Sequence, residues 1–169
     1  QVFASADDEV LVSQYCFAVY PIASRAVGAQ LIVSQANNAN HPMPLGHDLE
    51  AMLQKITAIT KLIFLANPNN PTGTWLSSEV MFDFIQKVPA HILLVVDEAY
   101  IEYVTDSNLQ SVLPLLAQFP NLIITRTFSK AYGLAGIRAG FALANTTVIE
   151  MIERVRESFN LNTLALIAA

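Results

Sequence analysis

The chain has 169 residues, enough for one domain with a sizeable core, and is 53% hydrophobic and 14% charged. Its net charge of −5 comes without any basic cluster, which argues against a nucleic-acid partner, and no apolar run is long enough for a membrane helix. The single Cys16 excludes an intrachain disulfide and fits a reducing, cytoplasmic setting, while His41, His47 and His91 carry no close ligand pattern for a metal.

Residues 9–13 read as a first strand, followed by a loop and helix over 15–27. Pro21 falls early in that helix, where its missing N–H costs little, and Gly28 ends it. Residues 30–34 form a second strand and residues 37–42 an Asn-rich surface loop; Asp48 then caps a helix to about residue 57. The next strand covers 62–65. Ser77 or Ser78 caps a helix whose Met81, Phe84, Ile85 and Val88 recur at helical spacing. Residues 92–96 are the most apolar strand and the predicted centre of a sheet. A helix is predicted over 108–118, then a strand at 122–124, a polar loop, and a strand over 140–144. Thr147 caps a last helix through 156, and Asn145-Thr146-Thr147, although it matches a glycosylation sequon, reads as part of that cap.

Strands and helices thus alternate, which predicts an α/β fold: a mostly parallel sheet with helices on both faces, three layers in all. Too little chain separates the last two strands for a helical crossover plus the polar loop, so the last strand is expected to run antiparallel.

Asn70, Asp97, Tyr100, Thr127, Ser129 and Lys130 all fall just beyond strand C-termini, the edge of an open α/β sheet where ligands bind. Asp97 ends an apolar run, where an unpaired carboxylate is costly; it either caps a helix, pairs with a cation or faces a ligand. The stretch Thr125-Arg126-Thr127-Phe128-Ser129-Lys130, with Gly133, Gly136 and Arg138 after it, sets hydroxyls and an arginine fork beside tight backbone. That combination suits a phosphate, and a lysine held among such groups suits a carbonyl-bearing cofactor. The other reading of Arg138 is a surface ion pair with Glu150 or Glu153.

The segment Ser129-Lys130-Ala131-Tyr132-Gly133-Leu134-Ala135-Gly136-Ile137-Arg138 resembles the lysine motif of the fold-type I pyridoxal-phosphate (PLP) enzymes. Asn67-Pro68-Asn69-Asn70-Pro71-Thr72-Gly73 and Asp97-Glu98-Ala99-Tyr100 are two further signatures of that group in the expected order, and within it the chain is most similar to the histidinol-phosphate aminotransferases. The similarity runs from about Asp8 to the C-terminus. It implies a PLP-dependent transfer of an amino group between histidinol phosphate and 2-oxoglutarate in histidine biosynthesis, by a cytoplasmic homodimer with neither nucleic acid nor membrane as partner. Lys130 is then the covalent anchor and proton carrier, Asp97 the partner of the pyridine nitrogen, and Asn70 and Tyr100 the ligands of the ring hydroxyl. Thr127, Ser129 and Arg138 hold the phosphate. Phe17 is the stacking aromatic, with Tyr15 and Tyr20 as competitors for that place.

The resemblance also implies that residues 1–169 are part of the PLP-binding large domain. The N-terminal arm, the Gly-rich phosphate loop and the C-terminal small domain with its substrate-binding arginine are expected outside this stretch. A related aminotransferase for aromatic or aspartate-type substrates and a PLP decarboxylase are the nearest alternatives. A non-catalytic PLP-binding or dimerisation fragment is the alternative of a different class.

Overall fold

Six strands, β1 (Glu9–Ser13), β2 (Gln30–Ser34), β3 (Thr60–Ala66), β4 (Leu93–Asp97), β5 (Leu122–Thr127) and β6 (Gly140–Ala144), form one sheet in the computed structural model, which describes residues 2–169. Their order is β2-β1-β3-β4-β5-β6, with β3 and β4 in the middle. All neighbours are parallel except β5 and β6, which are antiparallel as the short connection requires.

The register explains why both strand faces are apolar. Leu11 pairs with Ile63, Ile63 with Leu94, and Leu94 with Leu122; Leu65 with Val96 and Val96 with Ile124 make a second row on the same face. All are buried against Met52 of α2 (Leu49–Gln54) and Met81, Phe84 and Ile85 of α3 (Ser78–Lys87). The alternate residues Val12, Phe64, Val95 and Ile123 form a row on the opposite face. There they meet Tyr20 of α1 (Val19–Ala26) and Val148 of α4 (Thr146–Glu153). The strands β1, β3, β4 and β5 are therefore covered on both sides, the condition under which a parallel sheet tolerates continuous hydrophobic runs, while the edge strands β2 and β6 stay partly exposed.

Local chemistry sets the helix ends. Ser77 accepts from the Val80 amide and Asp48 from the Ala51 amide, as their positions predict, but α2 stops at Gln54, short of residue 57. Asn145, not Thr147, caps α4 by accepting from the Thr147 amide, and the helix ends at Glu153. The helix expected over 108–118 is reduced to a short 3₁₀ helix, Leu113–Ala117. Its backbone donors are engaged elsewhere: the Gln110 amide donates to the Ser78 hydroxyl and the Val112 amide to the Glu98 carboxylate. A helix absent from the sequence reading, α5 (Thr163–Ala168), starts at an Asn162 cap. No helix among the described residues is long and apolar enough to cross a membrane.

Candidate active site

The parallel strands deliver their following loops to one edge, and a cavity opens there between the exits of β1, β3, β4 and β5. Its lining includes Phe17, Tyr20, Asn70, Asp97, Tyr100 and Lys130. Its enclosed part is small, ≈ 50 Å³, room for a few waters, but it shares Pro68, Asn70 and Tyr100 with a neighbouring cleft of ≈ 500 Å³ walled by Trp75 and Tyr103.

Asp97 is the last residue of β4, paired in register with Ala66 and Thr125. One carboxylate oxygen accepts from the Ala99 amide at 3.1 Å and the other from the Tyr20 hydroxyl at 2.6 Å. The Tyr20 ring stacks on Phe64 with centroids 4.9 Å apart and meets Phe17 edge-on at 5.7 Å. Burial first, and then the charge of Asp97, push the Tyr20 phenol far above the ordinary tyrosine range, so it remains a donor. Burial likewise raises the neighbouring Cys16 thiol.

Asn70 lies in a turn whose two Asn–Pro peptide bonds are cis. That turn is tied down by its neighbours: the Asn67 amide side chain exchanges bonds with Leu76, and Asn69 donates to the Tyr15 carbonyl and the Thr72 hydroxyl. Below it, buried His47 donates from Nε2 to the carbonyl of Ala66, the residue at which β3 ends. Burial holds its imidazole below the usual histidine range.

Lys130 follows β5 in a reverse turn closed by the Gly133 amide on the Lys130 carbonyl, at 2.9 Å, with Gly133 at φ +68°. The Lys130 ammonium stands 5.3 Å from the centre of the Tyr100 ring, within cation–π range. The loop returns to the sheet at Gly140, where a Cβ would sit 2.8 Å from the Arg126 carbonyl oxygen, so no other residue fits that strand pairing unshifted.

Five of the residues singled out in the sequence therefore meet in one cavity: Phe17, Asn70, Asp97, Tyr100 and Lys130. Thr127 ends β5, and Ser129 and Arg138 belong to the same loop as Lys130, but none of the three lines the cavity. The Ser129 amide donates to the Thr127 hydroxyl, and exposed Arg138, at φ 57°, donates to the Ala135 carbonyl. Arg138 pairs with neither Glu150 nor Glu153; the ion pairs among the described residues are Arg126–Glu98 and Arg156–Glu153. Of the three aromatic candidates after β1, Phe17 and Tyr20 line the cavity and Tyr15 does not. The bond from Tyr20 to Asp97 escaped the sequence reading, although a phenol on the apolar side of a helix signals a buried partner.

The side chains of Asn70, Tyr100 and Lys130 make no hydrogen bond to any described residue, although Asn69 beside them makes two. An amide, a phenol and an amine with unspent capacity thus face a carboxylate held in place by two donors. Such a set suits a planar ring bearing a basic nitrogen, a hydroxyl and a reactive carbonyl.

The family model for "Aminotransferase class I and II" matches residues 1–169. Histidinol-phosphate aminotransferase 2 of Pseudomonas fluorescens (strain Pf0-1) is 54% identical over 157 residues, 93% of this chain and 41% of that protein. Histidinol-phosphate aminotransferase 2 of Hydrogenovibrio crunogenus is 52% identical over 169 residues, 100% of this chain and 44% of that protein. Among solved structures, histidinol-phosphate aminotransferase from Sinorhizobium meliloti, in complex with pyridoxal-5'-phosphate, superposes with a TM-score of 0.86 at 31% identity. The match covers 98% of this chain and 43% of that one. The chain thus spans less than half the length of the relatives it matches.

Proposed function

Because the chain belongs to the class I and II aminotransferase family, we propose that its cavity holds PLP and that the protein moves an amino group between histidinol phosphate and 2-oxoglutarate. The observation that carries this reading is the set of uncommitted side chains at the cavity, Asn70, Tyr100 and Lys130, facing Asp97. When bound, PLP supplies an electron-withdrawing ring to the α-carbon of the amino substrate. The residues divide the remaining work. Asp97 would hold a proton on the ring nitrogen, while Asn70 and Tyr100 would orient the ring through its hydroxyl and Phe17 would supply an apolar wall. Lys130 would anchor the cofactor by its amine and would carry the proton to and from the α-carbon of the substrate. Thr127, Ser129 and Arg138 would take the phosphate; for Arg138 this means exchanging its bond to the Ala135 carbonyl for a charge-assisted one.

The substrate rests on the relatives' names, and the segment is taken as part of the large domain of a longer, cytoplasmic homodimer. Exposed apolar side chains support the dimer: Val19 and Ile22 on α1, and Leu164, Leu166 and Ile167 on α5. The test is direct. In a protein carrying this segment at its relatives' full length, PLP should give a visible absorption band. Borohydride should then fix the label on Lys130, with Lys55, Lys61 and Lys87 labelled only at high reagent excess. Turnover should favour histidinol phosphate over phenylalanine and aspartate. Label on another lysine in an active protein would overturn the site, and preference for another amino donor would overturn the substrate.

A further inference from the structure

Asp97 holds a second contact that the proposed reaction leaves unexplained. Tyr20 stands on the first helix and Asp97 at the end of a central strand, 77 residues apart, yet the phenol lies 2.6 Å from the carboxylate. That length belongs to charge-assisted O–H···O⁻ bonds, which are markedly stronger than neutral ones. The phenol has little freedom to leave, because Tyr20 is 5% exposed and its ring is stacked on Phe64 with the planes only 7° apart. Other titratable groups close to this pair are Cys16 on the loop before α1, Tyr100 beyond β4, and Lys130 beyond β5. Only Tyr20 and the Ala99 amide donate to the carboxylate among the described residues.

We infer that Tyr20 is a positioning residue, which holds the Asp97 carboxylate oriented in the cavity by donating a hydrogen bond to it. This rests on the cavity being a PLP site, where a neutral or rotated Asp97 could not hold a proton on the ring nitrogen. A donor to the anionic form lowers a carboxyl's proton affinity. Each carboxylate oxygen has one such donor and still has lone-pair capacity for a ligand. A tyrosine that merely fills space would not orient the carboxylate, since its ring alone satisfies the stacking.

Tyr20→Phe keeps the ring and removes the donor. Titration of the Asp97 carboxyl by ¹³C NMR in cofactor-free protein should show its proton affinity rising about threefold or more in Tyr20→Phe. With cofactor, PLP should bind about fivefold or more weakly, and the pH profile of its absorption band should move toward higher pH. Replacing Tyr20 with 3-fluorotyrosine, a stronger donor of nearly the same shape, should move the Asp97 titration the other way, and serves if Tyr20→Phe does not fold. An Asp97 titration unmoved by these replacements would overturn the role of Tyr20, even if PLP binds normally. A shifted Asp97 in a protein that takes up no PLP would uphold the contact and overturn the cofactor reading instead.

Discussion

Asp97 shows how much one residue's surroundings add to its sequence position. From the sequence it is a carboxylate after an apolar run, open to several fates. In the structure it pairs in register with Ala66 and Thr125, accepts from Tyr20 and Ala99, and lines the same cavity as Lys130. Asp97→Asn keeps the shape and one acceptor oxygen but removes the charge. In the full-length protein transamination should fall about a hundredfold, corresponding to ~3 kcal/mol for a lost charge-assisted contact, with the fold retained by circular dichroism. Equal turnover would remove Asp97 from the chemistry. Residue type and place after the strands made Asn70, Asp97, Tyr100 and Lys130 visible in advance as candidates, and the structure brings them to one cavity. Tyr20 was visible only as an aromatic rival to Phe17, because its bond spans elements whose proximity depends on the whole sheet. Arg138 shows the reverse: its place in the motif was legible, but its left-handed backbone and its bond to Ala135 were not.

Elements are held to one another by a few buried polar contacts as well as by the core. Glu98 is 1% exposed, and its carboxylate accepts from Arg126, Ser111 and the Val112 amide, joining the ends of β4 and β5 to the segment before the Leu113–Ala117 turn. This explains why the predicted helix over 108–118 failed while the one predicted after Ser77 or Ser78 held. The first has its amides drawn to other elements, whereas α3 has a serine cap and a clean apolar stripe. Arg126→Met leaves the Glu98 charge buried without its partner and should cost about 3 kcal/mol or more in urea unfolding. His47 links the loop before α2 to the exit of β3 in the same way. Its imidazole binds a proton less readily in the folded chain than in the unfolded one, so the unfolded state takes up more protons below about pH 6.5. Stability should therefore fall as pH drops through that region, by at most ~1.4 kcal/mol per pH unit from this group, and His47→Gln should flatten the slope.

At the scale of the molecule, strand direction and the central place of residues 92–96 followed from connection lengths and apolar runs, whereas the strand order and the last helix, α5, went unread. Its sequence, Thr-Leu-Ala-Leu-Ile-Ala, is too short and too uniformly apolar to show a helical period. Leu164, Leu166 and Ile167 are largely exposed on it, as is Phe159 before it, and sedimentation of the full-length protein should find a dimer with this surface covered. A stable monomer binding PLP at full stoichiometry would exclude that. The layout of the cavity carries one more consequence, in time rather than space. Its walls come from four strand exits, and the strands beneath them are parallel, so each pairing has to close a long loop before any contact rewards it. No early, local piece of this chain contains even the Tyr20–Asp97 pair. Ligand capture during synthesis or refolding must therefore wait for the middle of the sheet to assemble, and the moment of capture is a clock for when the chain has finished finding its topology.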